Sequence, residues 1–262
     1  MKITGEREIL SLGGGVQSTT IVLLCLEGRI RKPDLIIFSD TGSERPETYA
    51  VIEELRSRCE GKIPFEIVKH NDAPLHKSYQ ERSSLPMVGQ AICTVKFKIR
   101  PIRRYLRANF DPIGVKPWFD IWIGITMDEI HRVRESDVEY IHNRYPLVEM
   151  GWTREDCKGY LAEKHPDLKV QKSGCFMCPY QKASSWGTLR LKHPDLFADA
   201  LSMEKDAIQG PFKLKGLFRS ERSIEMFNAT HTLEDFGLTG YGNSILAEAE
   251  LDDCEGQGGC FL

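Results

Sequence analysis

The sequence predicts an α/β protein: a parallel-sheet nucleotide-binding domain followed by a helical, cysteine-containing C-terminal part. Three observations carry this. Short apolar runs alternate with stretches of helical periodicity about a dozen residues long. The first of these runs leads into three consecutive glycines placed directly before a helix. The chain has 262 residues, 41% hydrophobic and 28% charged, which is ordinary globular usage and enough for one large domain with a smaller appendage. Such a composition excludes fibrous, collagen-like and wholly disordered chains. The formal charge, 35 − 38 = −3, excludes a global basic field, so any nucleic-acid contact must come from a local patch. No run of about 18 apolar residues occurs, and Met-Lys-Ile-Thr-Gly-Glu is unlike a signal peptide. The expectation is a cytoplasmic protein with no membrane contact.

The elements follow in order. Glu8-Ile9-Leu10-Ser11-Leu12 reads as a strand and Gly13-Gly14-Gly15 as a turn, and the apolar run Ile21 to Leu26 reads as a helix ending near Gly28. Leu35-Ile36-Ile37-Phe38 is a second buried strand ending in Ser39-Asp40-Thr41-Gly42. Pro46 then opens a helix with Val51, Ile52 and Leu55 at helical spacing. A third strand is expected at Pro64 to Val68 and a fourth at Phe119 to Ile125. Between them lie a polar loop, Asn71 to Gln90, and a basic helical segment, Cys93 to Arg107, with an interruption expected at Pro101. Strands alternating with helices indicate βαβ units and a parallel sheet with helices on both faces. After the fourth strand the pattern turns helical and loop-rich. Thr153 reads as an N-cap ahead of Glu155 and Asp156, and Leu189 to Ala207 carries helix-spaced apolar residues. The expected division is 1–150 for the nucleotide-binding domain, 151–247 for a helical, cluster-binding region, and 248–262 for a flexible acidic tail.

The segment Ser11 to Thr19 joins the first strand to the first helix, where backbone N–H groups and the helix dipole favour a phosphate or pyrophosphate anion. Glycines let the backbone approach, and Ser11, Ser18 and Thr19 offer hydroxyls. The run is neither a Walker A loop nor a Gly-x-Gly-x-x-Gly fingerprint. A tight turn packing helix on sheet is the alternative reading.

Four motifs in sequence order then carry a resemblance. Ser11-Leu12-Gly13-Gly14-Gly15-Val16-Gln17-Ser18 is similar to the Ser-Gly-Gly-x-x-Ser pyrophosphate loop of the adenine nucleotide α-hydrolase (PP-loop) superfamily, with one extra residue ahead of the glycines. Asp40-Thr41-Gly42, followed by Pro46-Glu47-Thr48-Tyr49, resembles the block after the second strand of phosphoadenosine phosphosulfate reductases. Cys93-Thr94-Val95-Lys96-Phe97-Lys98-Ile99-Arg100-Pro101 resembles their Cys-x-x-x-[Arg/Phe]-Lys-x-x-Pro segment, and Cys175-Phe176-Met177-Cys178 their later Cys-x-x-Cys. Together they span residues 9 to 180, about two thirds of the chain. Gly124-Ile125-Thr126-Met127-Asp128-Glu129-Ile130-His131-Arg132 resembles the Gly-x-x-x-Asp-Glu-x-x-Arg stretch of several superfamily members. The resemblance implies an adenine nucleotide, ATP or a sulfonucleotide (PAPS or APS), held by Ser11, Gly13, Gly14, Gly15, Gln17, Ser18, Thr19, Asp40, Thr41, Gly42, Gly124 and Arg132. It implies catalytic roles for Asp40, Asp128 and Glu129, with Mg²⁺ neutralising a departing pyrophosphate.

Eight cysteines, in a chain expected to sit in a reducing compartment, point to metal or thiol chemistry rather than disulfides. Cys175-x-x-Cys178 has metal-ligand spacing but cannot complete a site alone. The resemblance adds Cys93, making three thiolates for a 4Fe-4S cluster, with zinc as the lesser alternative. Three thiolates on a cubane leave one iron open, which resembles the sulfur-transferring relatives. Position 92 is Ile where assimilatory adenylyl sulfate reductases carry a second adjacent Cys. Cys157, Cys254 and Cys260 are the candidates for a fourth ligand, while Cys25, Cys59 and Cys157 read as small buried residues. Cys254 only loosely matches the reductases' C-terminal nucleophile block, because Asp-Cys-Glu-Gly lacks its His, and neighbouring carboxylates should raise a thiol pKa.

From Lys96 to Arg107 there are six basic residues and no acid, a patch suited to a cluster's charge, to an anion, or to a DNA or RNA backbone. The leading expectation is an ATP pyrophosphatase-type enzyme that adenylates a nucleic-acid acceptor and supports sulfur transfer through an iron–sulfur cluster, with a sulfur donor as partner. The rivals are a sulfonucleotide reductase using Cys254 and thioredoxin, and a non-catalytic nucleotide- or redox-sensing module.

Overall fold

The computed structural model describes residues 7–70, 73–88, 90–110 and 119–212, together with two short strands at 218–219 and 230–231. Its centre is a five-stranded sheet formed by β1 (Arg7–Leu12), β2 (Leu35–Asp40), β3 (Phe65–Lys69), β4 (Phe119–Trp122) and β5 (Ile141–Arg144), in the order β3-β2-β1-β4-β5. Every pair in it is parallel. The first three strands therefore grow outward in one direction and the last two return across β1 to the other side.

Strand periodicity separates the two faces. Leu10, Leu12, Ile36, Phe38 and Trp122 pack in one buried cluster with α1 (Val16–Leu26), α2 (Pro46–Cys59), Leu147 of α6 (Pro146–Glu149) and α7 (Arg154–Lys164). Their alternate neighbours Ile9, Leu35, Ile37, Phe119 and Ile121 join Ile102 and Leu106 of α5 (Arg100–Asn109) on the opposite face. A β-strand sends successive side chains to opposite sides, so strands apolar at every position must be covered on both. Thr153 caps α7 in a capping box with Asp156, as the sequence predicts. A third cluster lies beyond the sheet. It gathers Leu75 of α3 (Leu75–Gln80), Phe97, the Cys175–Met177 stretch, and Trp186, Leu189, Phe197 and Met203 of α8 (Ala183–Lys192) and α9 (Pro194–Gln209). None of the helices among the described residues is long and apolar enough to cross a membrane.

Pro101 does not interrupt the basic helix. Helical backbone continues through α4 (Ile92–Thr94), a π-helical turn over Val95–Ile99, and α5. Pro101 lacks the N–H that would serve the carbonyl of Phe97 four residues back. That carbonyl instead accepts the hydroxyl of Ser39 at 2.8 Å, from the end of β2, and the wider π turn accommodates the ring, a known use of π bulges. Three further expectations are corrected. Residues 189–207 are not one helix: His193 leaves helical conformation (φ −137°, ψ 65°) ahead of Pro194, as a residue before proline tends to. The fourth strand ends at Trp122 rather than Ile125. A fifth strand, Ile-His-Asn-Arg, forms where a helical and loop-rich pattern was expected; its polar residues suit a sheet edge.

If Ser39 serves the carbonyl that Pro101 orphans, Ser39→Ala leaves a buried acceptor unserved and should cost about 1–3 kcal/mol of stability. Denaturant unfolding followed by circular dichroism measures this, and an unchanged midpoint would remove the explanation.

Candidate functional site

The sheet order creates a switch point at β1 and β4: chain leaving β1 goes one way and chain leaving β4 the other, opening a crevice at their carboxyl ends where α/β sheets bind ligands. The glycine turn lies there. Gly14 has φ +72°, and a Cβ on it would stand 3.0 Å from Thr48 Cγ2 and 3.2 Å from Ile52 Cδ1, so both conformation and packing call for glycine. Helix α1 starts at Val16 with no side-chain cap on its first turn, which leaves N-terminal N–H groups available to a ligand. Gly124, after β4, lets that segment close on the loop: a Cβ there would meet Ser18 N at 2.9 Å and its Cα at 3.2 Å.

Within the loop, Ser18 Oγ accepts from Gly13 N at 3.2 Å and donates to Gly15 O at 3.4 Å. The hydroxyls of Ser11 and Thr19 are buried and find no partner among the described residues. Gln17 is held from both sides: its Nε2 donates to Glu129 Oε2 at 2.9 Å and its Oε1 accepts from Arg154 Nη1 at 3.1 Å. Arg132 pairs with the other oxygen of Glu129. Glu129 and Arg132 belong to a 3₁₀ helix, Met127–Arg132, whose Asp128 accepts the backbone N–H of Arg154 at 2.9 Å. The crevice wall is thus a network of three chain segments.

At the end of β2, Asp40 Oδ1 accepts from Gly42 N at 2.7 Å and from Tyr49 Oη at 2.8 Å, and its Oδ2 lies 3.1 Å from Lys69 Nζ. Burial, then the hydrogen bond to Asp40, raises the Tyr49 pKa and keeps the phenol a donor. The following loop crosses the Cys-x-x-Cys segment. Phe176 N donates to Ser43 O at 3.0 Å and Arg45 N to Gly174 O at 3.3 Å, making a single antiparallel bridge between Glu44 and Cys175. Thr41 Oγ1 stands 3.4 Å from Cys175 Sγ. The same segment also touches the glycine loop, since a Cβ on Gly15 would stand 3.0 Å from Ser173 Oγ and 3.6 Å from Ser173 N.

Cys93, Cys175 and Cys178 line one cavity with Thr41, Lys98 and Tyr180. Behind its wall the carboxylate of Glu44, fully buried, accepts from Thr41 at 3.2 Å and pairs with Lys98 Nζ at 3.3 Å. Its second oxygen is buried without a partner among the described residues. No three Cys, His, Asp or Glu side chains among the described residues converge as a single-ion site. Thiolates of a cubane bind separate irons and need not converge on one point, so three cysteines around one cavity fit a cluster.

Of the implied nucleotide residues, Gly124 closes on Ser18 of the glycine loop and Gln17, Glu129 and Arg132 form one network beside it; Asp40 stands at the end of β2, and Thr41 lines the cavity that also holds the three implied cluster cysteines. The structure puts Cys25, Cys59 and Cys157 in the core between α1, α2 and α7, so Cys157 stands apart from the cavity. Cys254 and Cys260 lie outside the described residues. The sequence assigned no site role to Ser173, Glu44 or Arg154: Glu44 lies within the run from Asp40 to Tyr49, Ser173 just ahead of the Cys-x-x-Cys and Arg154 just after the Thr153 cap, but their partners are distant in sequence. In the basic segment Lys98 faces the cavity, whereas Arg103 is engaged by Asp137 and Arg104 donates to His70 O at 3.2 Å.

Burial pushes the thiol pKa values of Cys25, Cys59 and Cys157 up to about 12, 11 and 12, whereas Cys93 and Cys178 are only partly buried. Since the thiolate is the nucleophile, iodoacetamide at about pH 8 should label Cys93 and Cys178 in the reduced, cluster-free native protein well before those three. Peptide mapping by mass spectrometry tests this, and comparable labelling of the buried set would overturn it.

A family model described as the phosphoadenosine phosphosulfate reductase domain matches residues 7–168. Among curated relatives, an uncharacterized protein of Methanocaldococcus jannaschii is 22% identical over 200 residues, covering 72% of this chain and 39% of the relative. An uncharacterized nin region protein of Escherichia phage lambda is 24% identical over 199 residues, covering 65% and 64%. Adenosine 5'-phosphosulfate reductase 2 of Bacillus subtilis is 23% identical over 184 residues, covering 66% and 73%. The first two matches thus span less than two thirds of the relative's length. Two solved structures are similar: a phosphoadenylyl-sulfate reductase from Candida auris (TM-score 0.43, 15% identity, 64% of this chain and 76% of that one) and a U34-tRNA thiolase from Methanococcus maripaludis with its 4Fe-4S cluster (TM-score 0.42, 18% identity, 77% and 72%). Because the family match covers well over half of the chain and takes in every strand of the five-stranded sheet, the chain belongs to the phosphoadenosine phosphosulfate reductase domain family.

Proposed function

We propose that the protein is an ATP-dependent sulfurtransferase of this family, which adenylates an oxygen of a nucleic-acid acceptor and supports its replacement by sulfur. One observation carries the reading. Ser173 packs on the glycine loop, and Cys175 is two residues further along the same segment, so the Cα atoms of the two residues are at most about 7 Å apart. A nucleotide phosphate on the loop and a thiol-held group in the cavity would be neighbours.

In this reading the backbone N–H groups at the start of α1 bind the phosphates, with Gly13, Gly14 and Gly15 allowing close approach. Mg²⁺ arrives with the nucleotide. The acceptor oxygen attacks the α-phosphorus, its bond to the oxygen bridging to the β-phosphorus breaks, and pyrophosphate leaves with that electron pair. Donors fixed around the crevice stabilise the developing charge. Asp40, Asp128 and Glu129 act as positioning carboxylates, since each already accepts hydrogen bonds that hold the crevice segments together. Cys93, Cys175 and Cys178 would hold a 4Fe-4S cluster, whose open iron supplies a site for exogenous sulfide when bound. Lys98 places a cation at the cavity wall, and the remaining basic face of α5 is the proposed nucleic-acid contact.

The family description and the Bacillus subtilis relative favour a second reading, sulfonucleotide reduction. There the Cys254 thiolate attacks the sulfur of adenylyl sulfate, AMP leaves, and thioredoxin thiols release sulfite from the resulting thiosulfonate.

Anaerobically reconstituted protein given ATP, sulfide and a mixture of transfer RNA and DNA should yield AMP and pyrophosphate in equal amounts, with sulfur in the nucleic acid. Cys93→Ser, Cys175→Ser and Cys178→Ser should abolish sulfur incorporation while retaining ATP binding. ATP binding without any AMP and pyrophosphate would sink the leading reading. Sulfite from adenylyl sulfate and thioredoxin, lost in Cys254→Ser, would establish the second.

A further inference from the structure

We propose that Arg154 is a phosphate receptor of the nucleotide crevice, with one edge of its guanidinium taking two oxygens of a phosphoryl group. A guanidinium offers two donors side by side on its Nε–Nη2 edge, spaced to match a phosphate or carboxylate. In Arg154 the other nitrogen, Nη1, donates to Gln17 Oε1 at 3.1 Å. Nε and Nη2 are both buried and have no hydrogen-bond partner among the described residues. A charged, desolvated donor pair left unserved is unfavourable, and one oxyanion would satisfy both donors at once.

The side chain is held in this arrangement from several directions. Arg154 is the first residue of α7, whose start is locked by the Thr153–Asp156 capping box. Its backbone N–H donates to Asp128, and Met127 N donates to Trp152 O at 2.9 Å. Both carboxylates of the network are engaged, Asp128 by that N–H and Glu129 by Gln17 and Arg132. The anchor itself points to the ligand. Gln17 is the second residue of α1, directly after the glycine turn, so its hydrogen bond holds the guanidinium at the wall of the crevice, where helix N–H groups also favour an anion. Arg154 is only partly buried as a residue, while its Nε and Nη2 are the buried part, so taking a phosphoryl group requires the side chain to turn its free edge toward the crevice. The choice of phosphate over carboxylate rests on the proposed nucleotide reading.

Calorimetric titration with Mg-ATP and with inorganic pyrophosphate, on the full chain and on Arg154→Lys and Arg154→Met, tests the assignment. Lys keeps the charge and loses the paired donors; Met keeps the length and loses both. Both variants should bind ATP and pyrophosphate roughly 10- to 100-fold more weakly. The ligand-free melting temperature should change little, since losing the hydrogen bond to Gln17 is offset by removal of the partnerless buried donors. Unchanged affinity for ATP and pyrophosphate overturns the assignment while leaving the nucleotide reading intact, and so does a large fall in ligand-free melting temperature with affinity retained. A full chain that binds neither ligand overturns both.

Discussion

The site depends on one crossing of the chain. Ser43, Glu44 and Arg45 leave the carboxyl end of β2 and meet Gly174, Cys175 and Phe176 through two backbone hydrogen bonds. Side chains reinforce it: Ser43 Oγ accepts from His76 N at 3.0 Å and lies 2.9 Å from His76 Nδ1, and Arg45 reaches Gln181 and Ser185 O. Without this crossing the Cys-x-x-Cys segment would have no fixed relation to the sheet. With it, Cys175 touches Thr41 at the β2 end, and Ser173 touches the glycine loop at the β1 end.

Among the described residues, partnerless buried polar groups occur in the sheet, as at Trp122, and around the site. Most buried polar groups in a folded protein find partners, yet the unserved groups here include the hydroxyls of Ser11 and Thr19, one oxygen of Glu44 and two nitrogens of Arg154. Buried carboxylates such as Glu44 survive only when charge and hydrogen bonds offset their desolvation, and Lys98 with Thr41 does this for one oxygen only. Glu44 stands directly behind the wall of the cysteine cavity, and Arg154 is bonded to Gln17 beside the glycine loop. The sheet beneath is conventional: alternating apolar residues cover both faces, and its helices pack on them.

Much of the fold was legible because its signals are short in range. Four of the five strands are apolar runs bounded by glycine, proline or polar residues, and Pro46 and Thr153 mark helix starts within a residue. β5 escaped because Ile-His-Asn-Arg, three-quarters polar and at a sheet edge, has no alternation to read. The break at His193 was signalled by Pro194 but hidden by apolar spacing that continues across it. The π turn was illegible in principle, since the hydroxyl that stabilises it comes from Ser39, 58 residues away.

By itself the sequence determined the strand–glycine–helix unit, the parallel sheet and the identities of the three cysteines around one cavity, because each is written in neighbouring residues or in motifs whose spacing survives folding. Only the tertiary structure decided that Cys157 lies in a separate core, that Glu44 and Lys98 face each other behind the thiols, and that Arg154 meets Gln17. These are contacts between residues 26 to 137 positions apart, as in the pairs Asp128–Arg154 and Gln17–Arg154. Local propensity carries no information about such pairs; they are fixed by the sheet order, which returns the chain across β1 and closes the crevice from segments the sequence keeps apart.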